Sequence, residues 1–199
     1  MANGNLYENR RIVEKYLNHK LSKNGHAREF HRCHASSPDE QERAHRVTLH
    51  TALREAGDEL ESLYRPDFAE MTKRLRETPV GAEQRRFAAV ADELFRDGIN
   101  WGRVVAFFEF GAMVCVQCAP DAERSACAEN VARWMAEYLN GPLNGWIQEN
   151  GGWDAFVELY MRRKDSLFSS SWPSLTTSVF SLAVLGAVGL TIGAYLTQK

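Results

Sequence analysis

Along residues 1–165 the apolar positions return every three or four residues, and no stretch alternates as a half-buried strand would. Ile12, Val13, Tyr16, Leu17 and Leu21 form the first stripe. Leu49, Leu53, Ala56, Leu60 and Leu63 form the second, in steps of four, three, four and three. Pro66 limits its far end, because proline disfavours the helical conformation in the residue before it. Phe68, Met71 and Leu75 mark a short face that Pro79 and Gly81 interrupt. Phe87, Val90, Leu94 and Phe95 make the next, closed by Asp97-Gly98. Val131, Trp134, Met135, Tyr138 and Leu139 mark another, ended by Asn140-Gly141-Pro142. Two short helices are predicted around Trp146-Ile147 and from Trp153 to Met161, split by Asn150-Gly151-Gly152.

One helix differs from the rest. It starts near Trp101 and ends before Pro120, and between Val104 and Ala119 its only charge is Glu109. A helix apolar nearly all round belongs in the centre of a bundle or in a membrane. Glu109 and the short length favour the bundle, since a span needs about 20 apolar residues. Its mouth, Asn100-Trp101-Gly102-Arg103, is costly. Glycine weakens a helix by roughly 1 kcal/mol relative to alanine, and an arginine there needs water or a partner. The predicted fold is all-α: seven or eight helices around one apolar central helix, with no internal repeat.

Residues 23–45 carry many His, Arg, Ser and Asp and few apolar positions, which predicts a flexible linker. His31, Cys33 and His34 crowd there, but a zinc site needs about four ligands at definite spacing, so a solvated linker is the better reading. Ser37-Pro38 is a commonplace dipeptide for proline-directed phosphorylation.

The C-terminal end has another character. No charged residue occurs from Ser166 to Gln198. The apolar centre, Leu175 to Leu196, would span ~33 Å as a helix, against a hydrocarbon core of about 30 Å. Arg162, Arg163 and Lys164 precede it and Lys199 follows. Gly186, Gly189 and Gly193 are tolerated in membrane helices better than in soluble ones. The expected organisation is an N-terminal helix over 1–22, the linker over 23–45, the bundle over 46–165, a tether over 166–173 and a transmembrane tail anchor over 174–197. Met1 to Leu21 is charged and amphipathic, which predicts no signal peptide.

The chain has 199 residues and a formal net charge of −2, a balance that does not suggest nucleic acid as a partner. Four cysteines are too few for a disulfide scaffold, and Cys115-x-x-Cys118 lies inside the central helix rather than at an accessible helix start. Both are expected as buried small hydrophobes. His45 and His50, five apart, share no helix face and are expected to be solvated. No GxSxG, phosphate-binding glycine loop or HExxH is present, and no catalytic, metal or cofactor site is predicted.

Four segments resemble the homology motifs of the Bcl-2 family, in that family's order. Tyr7 to Ser22 resembles the fourth, Leu53-Arg-Glu-Ala-Gly-Asp-Glu-Leu60 the third, Glu93 to Gly111 the first, and Trp146 to Val157 the second. Only residues 23–45 fall outside the resemblance. It implies a pro-survival, anti-apoptotic binding protein and no enzyme. Its partners would be pro-death relatives, both pore-forming effectors and short single-motif ligands. Members of this branch capture the amphipathic third-homology helix of those relatives in a surface groove. Arg103 matches the groove arginine that meets a ligand aspartate. The groove walls fall on Tyr64, Phe68, Met71, Val90, Leu94, Ala106, Phe110 and Tyr160. Asp67, Glu93 and Asn100 would supply polar rim contacts, and Gly102 would leave room for the incoming helix. Trp101, Trp146 and Trp153 are expected as packing residues. Two positions depart from the closest relatives: Leu60 stands for a phenylalanine near the groove floor, and Pro66 for a non-proline residue at its edge. The resemblance also implies a tail-anchored protein on the cytosolic face of the mitochondrial outer membrane, endoplasmic reticulum and nuclear envelope. The alternative within the same fold is a pore-forming pro-apoptotic effector.

Overall fold

The computed structural model describes residues 3–26, 40–76, 82–118 and 126–165, with the side chains of 3–8, 40–43, 67, 69–76 and 163–165 left aside. The expected tether and anchor, the His31, Cys33 and His34 group, and Ser37-Pro38 lie outside the described residues.

Seven helices make up the regular structure among the described residues: α1 Asn3–Lys23, α2 Glu40–Arg76, α3 Glu83–Phe95, α4 Trp101–Cys118, α5 Cys127–Asn140, α6 Asn144–Glu149 and α7 Gly152–Asp165. The central position of α4 follows from its composition. With apolar side chains all round, it can be satisfied only by neighbours on every side, and α1, α2, α3 and α5 supply them. Each surrounding helix contributes the one stripe that its periodicity marks. Ile12, Val13, Tyr16, Leu17 and Leu21 are all buried on α1, as are Leu49, Leu53 and Ala56 on α2 and Phe87, Val90, Leu94 and Phe95 on α3. Cys115 and Cys118 are buried on α4 and form no disulfide, as expected.

Aromatic rings fill much of the space between helices. Phe87 stacks on Phe110 at 5.1 Å between centroids, tying α3 to α4. Trp101 meets Trp146 at 5.1 Å and Trp153 at 5.6 Å, so the packing role expected of these three tryptophans holds. Trp153 has a second task. Its indole N–H donates to Asn9 Oδ1 at 2.8 Å, and Asn9 Nδ2 donates to Asn140 Oδ1 at 2.8 Å, so three helices meet at one buried amide.

Several expectations need correction. Residues 40–45 are helical rather than linker: Glu40 and Glu42 suit the positive end of a helix, and a polar first turn hid it from an apolar count. Leu63 is 61 % exposed. The stripe drifts off the core there, one residue before α2 kinks. Tyr64 leaves the helical region (φ −124°, ψ 23°) and Pro66 follows, so the two halves of α2 are separate helical segments around the break. His50 is buried rather than solvated, because its position beside Leu49 turns it toward α1. His45 Nε2 pairs with Asp154 Oδ1 at 2.5 Å, linking α2 to α7.

Candidate binding groove

Arg103 occupies the first turn of α4, and the local sequence explains how. Asn100 stands outside the helix, and its Oδ1 accepts the backbone N–H of Arg103 at 2.9 Å. This is an N-cap, an arrangement that contributes about 1 kcal/mol. Before it, Gly98 has φ 106°, a left-handed conformation that glycine adopts without strain. The turn directs the Gly98 carbonyl back to Arg103, whose Nη1 donates to it at 2.5 Å. Arg103 is 3 % exposed. A cation in a helix's first turn faces the positive end of the macrodipole, which disfavours it. Gly102, beside it, is buried as well.

The apolar positions expected to wall the groove come together. Phe68, Val90, Leu94, Ala106, Phe110 and Tyr160 belong to one contiguous buried cluster, with half-buried Tyr64 packed against it. They come from α2 beyond its kink, α3, α4 and α7. Phe68, Val90, Leu94, Ala106 and Phe110 are each at most 3 % exposed, so these positions are covered rather than open to solvent. Tyr160 stacks on Phe156 at 6.4 Å and its hydroxyl donates to Glu59 Oε1 at 3.3 Å. Leu60 is half-buried against the same cluster, and Pro66 is exposed at the kink. Glu93 forms an ion pair with Arg96 on the turn after its own helix. The side chains of Asp67 and Met71 lie outside the described residues.

Sequence reasoning placed Asn100 among rim contacts and missed its capping role, although an Asn just before an apolar helical run is a start signal. It also missed a charged cluster inside the bundle. Glu109, 0 % exposed, receives hydrogen bonds from the Tyr16 hydroxyl and from Lys20 Nζ, the latter at 2.7 Å. Lys20 Nζ also reaches Asp58 Oδ1 at 2.7 Å and Glu61 Oε2 at 2.9 Å. Burial pushes Glu109 up to about 6, against the pull of Lys20. Burial alone would lower Lys20, but Glu109, Asp58 and Glu61 outweigh it and hold the ammonium above its ordinary value. Gly57 makes room for this cluster: a Cβ there would run into the Tyr16 hydroxyl and Glu109 Oε1. The fourth-homology segment is thereby locked to the third and to α4.

An apolar central helix, a capped arginine at its mouth and four ordered motifs together define a class. Residues 53–153 match the family model described as apoptosis regulator proteins, Bcl-2 family. The chain belongs to the Bcl-2 family, whose members are regulators rather than enzymes. It is 44 % identical over 229 aligned positions to the apoptosis regulator Bcl-2 of Gallus gallus, covering 97 % of each chain. It is 54 % identical over 151 positions to the apoptosis regulator Bcl-2 of Canis lupus familiaris, covering 76 % of this chain and 62 % of that one. Bcl-2-like protein 1 of Homo sapiens is 52 % identical over 127 positions, covering 64 % of this chain and 54 % of that one.

Proposed function

We propose that this chain is a pro-survival regulator that sequesters the third-homology helix of pro-death relatives in the groove between α2, α3 and α4. Held there, those relatives do not permeabilise the mitochondrial outer membrane. Residues 174–197 tether the bundle to the cytosolic face of that membrane, the endoplasmic reticulum and the nuclear envelope.

The observation that carries the reading is the place of Arg103. A permanent cation sits against the wrong end of a helix dipole, hydrogen-bonded to the Gly98 carbonyl and with an apolar cluster alongside. Such a position is poor for stability and suited to an incoming carboxylate. A ligand aspartate would make a charge-assisted hydrogen bond to the guanidinium, while apolar residues at i, i+3 or i+4 spacing would enter among Phe68, Val90, Leu94, Ala106 and Phe110. Because these positions are buried in the free chain, the ligand helix must uncover them, and binding is coupled to opening.

Fluorescence polarisation with a labelled third-homology peptide tests this. Arg103→Ala is expected to weaken binding by about 2–5 kcal/mol, the usual loss when one member of a buried charge pair is truncated. Unchanged affinity would sink the groove assignment. Deleting residues 174–199 is expected to leave peptide binding intact and to release the chain from membranes; retention on membranes would refute the anchor. Purified full chain plus an activator peptide is expected to leave liposomes sealed. Leakage would establish a pore-forming effector instead.

A further inference from the structure

One face of α1 and α2 carries an unusual charge register. Lys23 Nζ pairs with Asp58 Oδ1 at 3.0 Å, which aligns the two helices. Stepping back by four on both helices from that pair matches His19 with Arg54, Lys15 with His50 and Arg11 with Arg46. Residues four apart share a helix face. One rung is therefore acid on base, and the next three are base on base. The groups sense one another: Lys15 is lowered by its partial burial and by Arg11, Arg46 and Arg54, and His50 by burial and then by Lys15, Arg54, Arg11 and Arg46.

Nearby carboxylates are engaged elsewhere. Glu14 pairs with Arg10 at 2.5 Å, and Asp58 and Glu61 both bind Lys20. Among the described residues, Arg11, Lys15, His19, His50 and Arg54 make no side-chain hydrogen bond or ion pair. His50 is 7 % exposed, and Nε of Arg54 is buried without an acceptor. The whole chain has a net charge of −2, so this crowding is a local construction rather than general basicity. Like charges at i, i+4 spacing destabilise a helix, and here two such rows face each other.

We propose that the crease between α1 and α2 is a binding site for a phosphate ester, gripped by Arg11, Lys15 and Arg54, with Arg46, His19 and His50 along its walls. The chemistry matches. A phosphate dianion carries two charges and three acceptor oxygens, and guanidinium groups bind it bidentately. Its source is either a soluble phosphorylated molecule or the headgroup of an anionic phospholipid. The lipid source rests on the proposed anchor, whereas the soluble source does not.

The test uses the full chain in neutral detergent micelles, with inorganic pyrophosphate titrated against sodium chloride at constant ionic strength and neutral pH. Pyrophosphate is expected to raise the melting temperature beyond chloride and to protect Lys15, which is exposed, from an amine-reactive reagent. Lys15→Gln and Arg54→Gln are each expected to raise the half-maximal concentration about tenfold, in line with loss of one charge-assisted contact. Lys15→Gln is further expected to melt at or above the wild-type temperature without ligand, because it relieves repulsion. A lower basal melting temperature for Lys15→Gln would make the stripe merely structural and overturn the proposal. So would an undiminished pyrophosphate response in both variants, or none in the wild type. In nanodiscs, protection of Lys15 by a phosphoinositide in place of neutral lipid assigns the site to a headgroup. Protection by pyrophosphate alone assigns it to a soluble phosphate. Third-homology peptide binding by Lys15→Gln is expected to be unchanged, which separates this site from the groove.

Discussion

Lys20 Nζ lies 2.7 Å from Glu109 Oε1, so the first helix is ionically fastened to the middle of the central one. Both side chains are almost wholly buried. Lys20→Met leaves the Glu109 carboxylate buried without its cation and is expected to destabilise the fold by about 3–5 kcal/mol in urea titration. Lys20→Met/Glu109→Leu removes both charges and is expected to recover much of that loss. A double variant as unstable as the single one would show that packing, not charge, sets the effect.

Gly57 is held to glycine by its neighbours rather than by its backbone. Gly57→Ala drives a methyl group into the Tyr16 hydroxyl and Glu109 Oε1, and overpacking of this kind costs about 1–3 kcal/mol. Adding Tyr16→Phe removes the colliding oxygen and is expected to restore part of the stability. Thermal melts of the four proteins in the cycle decide it; strict additivity would contradict the collision.

Acid acts on His50 and Glu109 in opposite directions. Burial and the surrounding Lys15, Arg54, Arg11 and Arg46 lower His50 to about 3, below the ordinary 6.5. The unfolded chain therefore takes a proton that the fold refuses, and this contribution is present above 6.5 and lost as pH falls toward 3. Glu109, raised to about 6, gives the reverse: its contribution is present below 4.5 and lost as pH rises through 6. Wild type is expected to lose ~1.4 kcal/mol per pH unit below 6.5 relative to His50→Gln, measured by urea midpoints at a series of pH values. Parallel pH profiles for the two proteins would remove His50 as the cause.

Asn100 separates capping from ligand binding. Asn100→Ala loses the acceptor for the Arg103 N–H and is expected to lower stability by about 1 kcal/mol, whereas Asn100→Ser keeps a cap and much of the stability. If Ser melts no higher than Ala, the cap is not the reason for the asparagine.

How much of this was legible depends on the range of the interaction. The α1 stripe from Ile12 to Leu21 was readable because burial follows a period within one helix. The Asp97-Gly98 stop was readable because a left-handed glycine has a local sequence signature. Lys20 gave no sign of meeting Glu109: the two are far apart in the chain, and although Glu109 stands out as the lone charge of an apolar helix, Lys20 resembles a surface residue in its own window. His50 misled for the same reason: a histidine beside an apolar stripe is buried only if a second helix covers it. The proposed groove positions were named through motif resemblance alone, because Phe68 and Phe110 have the periodicity of ordinary core residues. The basic register across α1 and α2 needed the Lys23–Asp58 pair before either row could be aligned to the other.

The break at Tyr64 divides α2 into unequal mechanical parts. Upstream, Asp58 and Glu61 are clamped by Lys20 to the interior of the bundle. Downstream, the segment bearing Phe68 is joined to that clamp through a residue outside the helical region and a proline that offers no N–H to the ladder. Helical cooperativity does not pass through such a joint. Amide exchange along α2 is therefore expected to step at Tyr64, with strong protection before it and weaker protection after. The proposed groove wall on that side would then yield to a ligand while the charged interior stays locked.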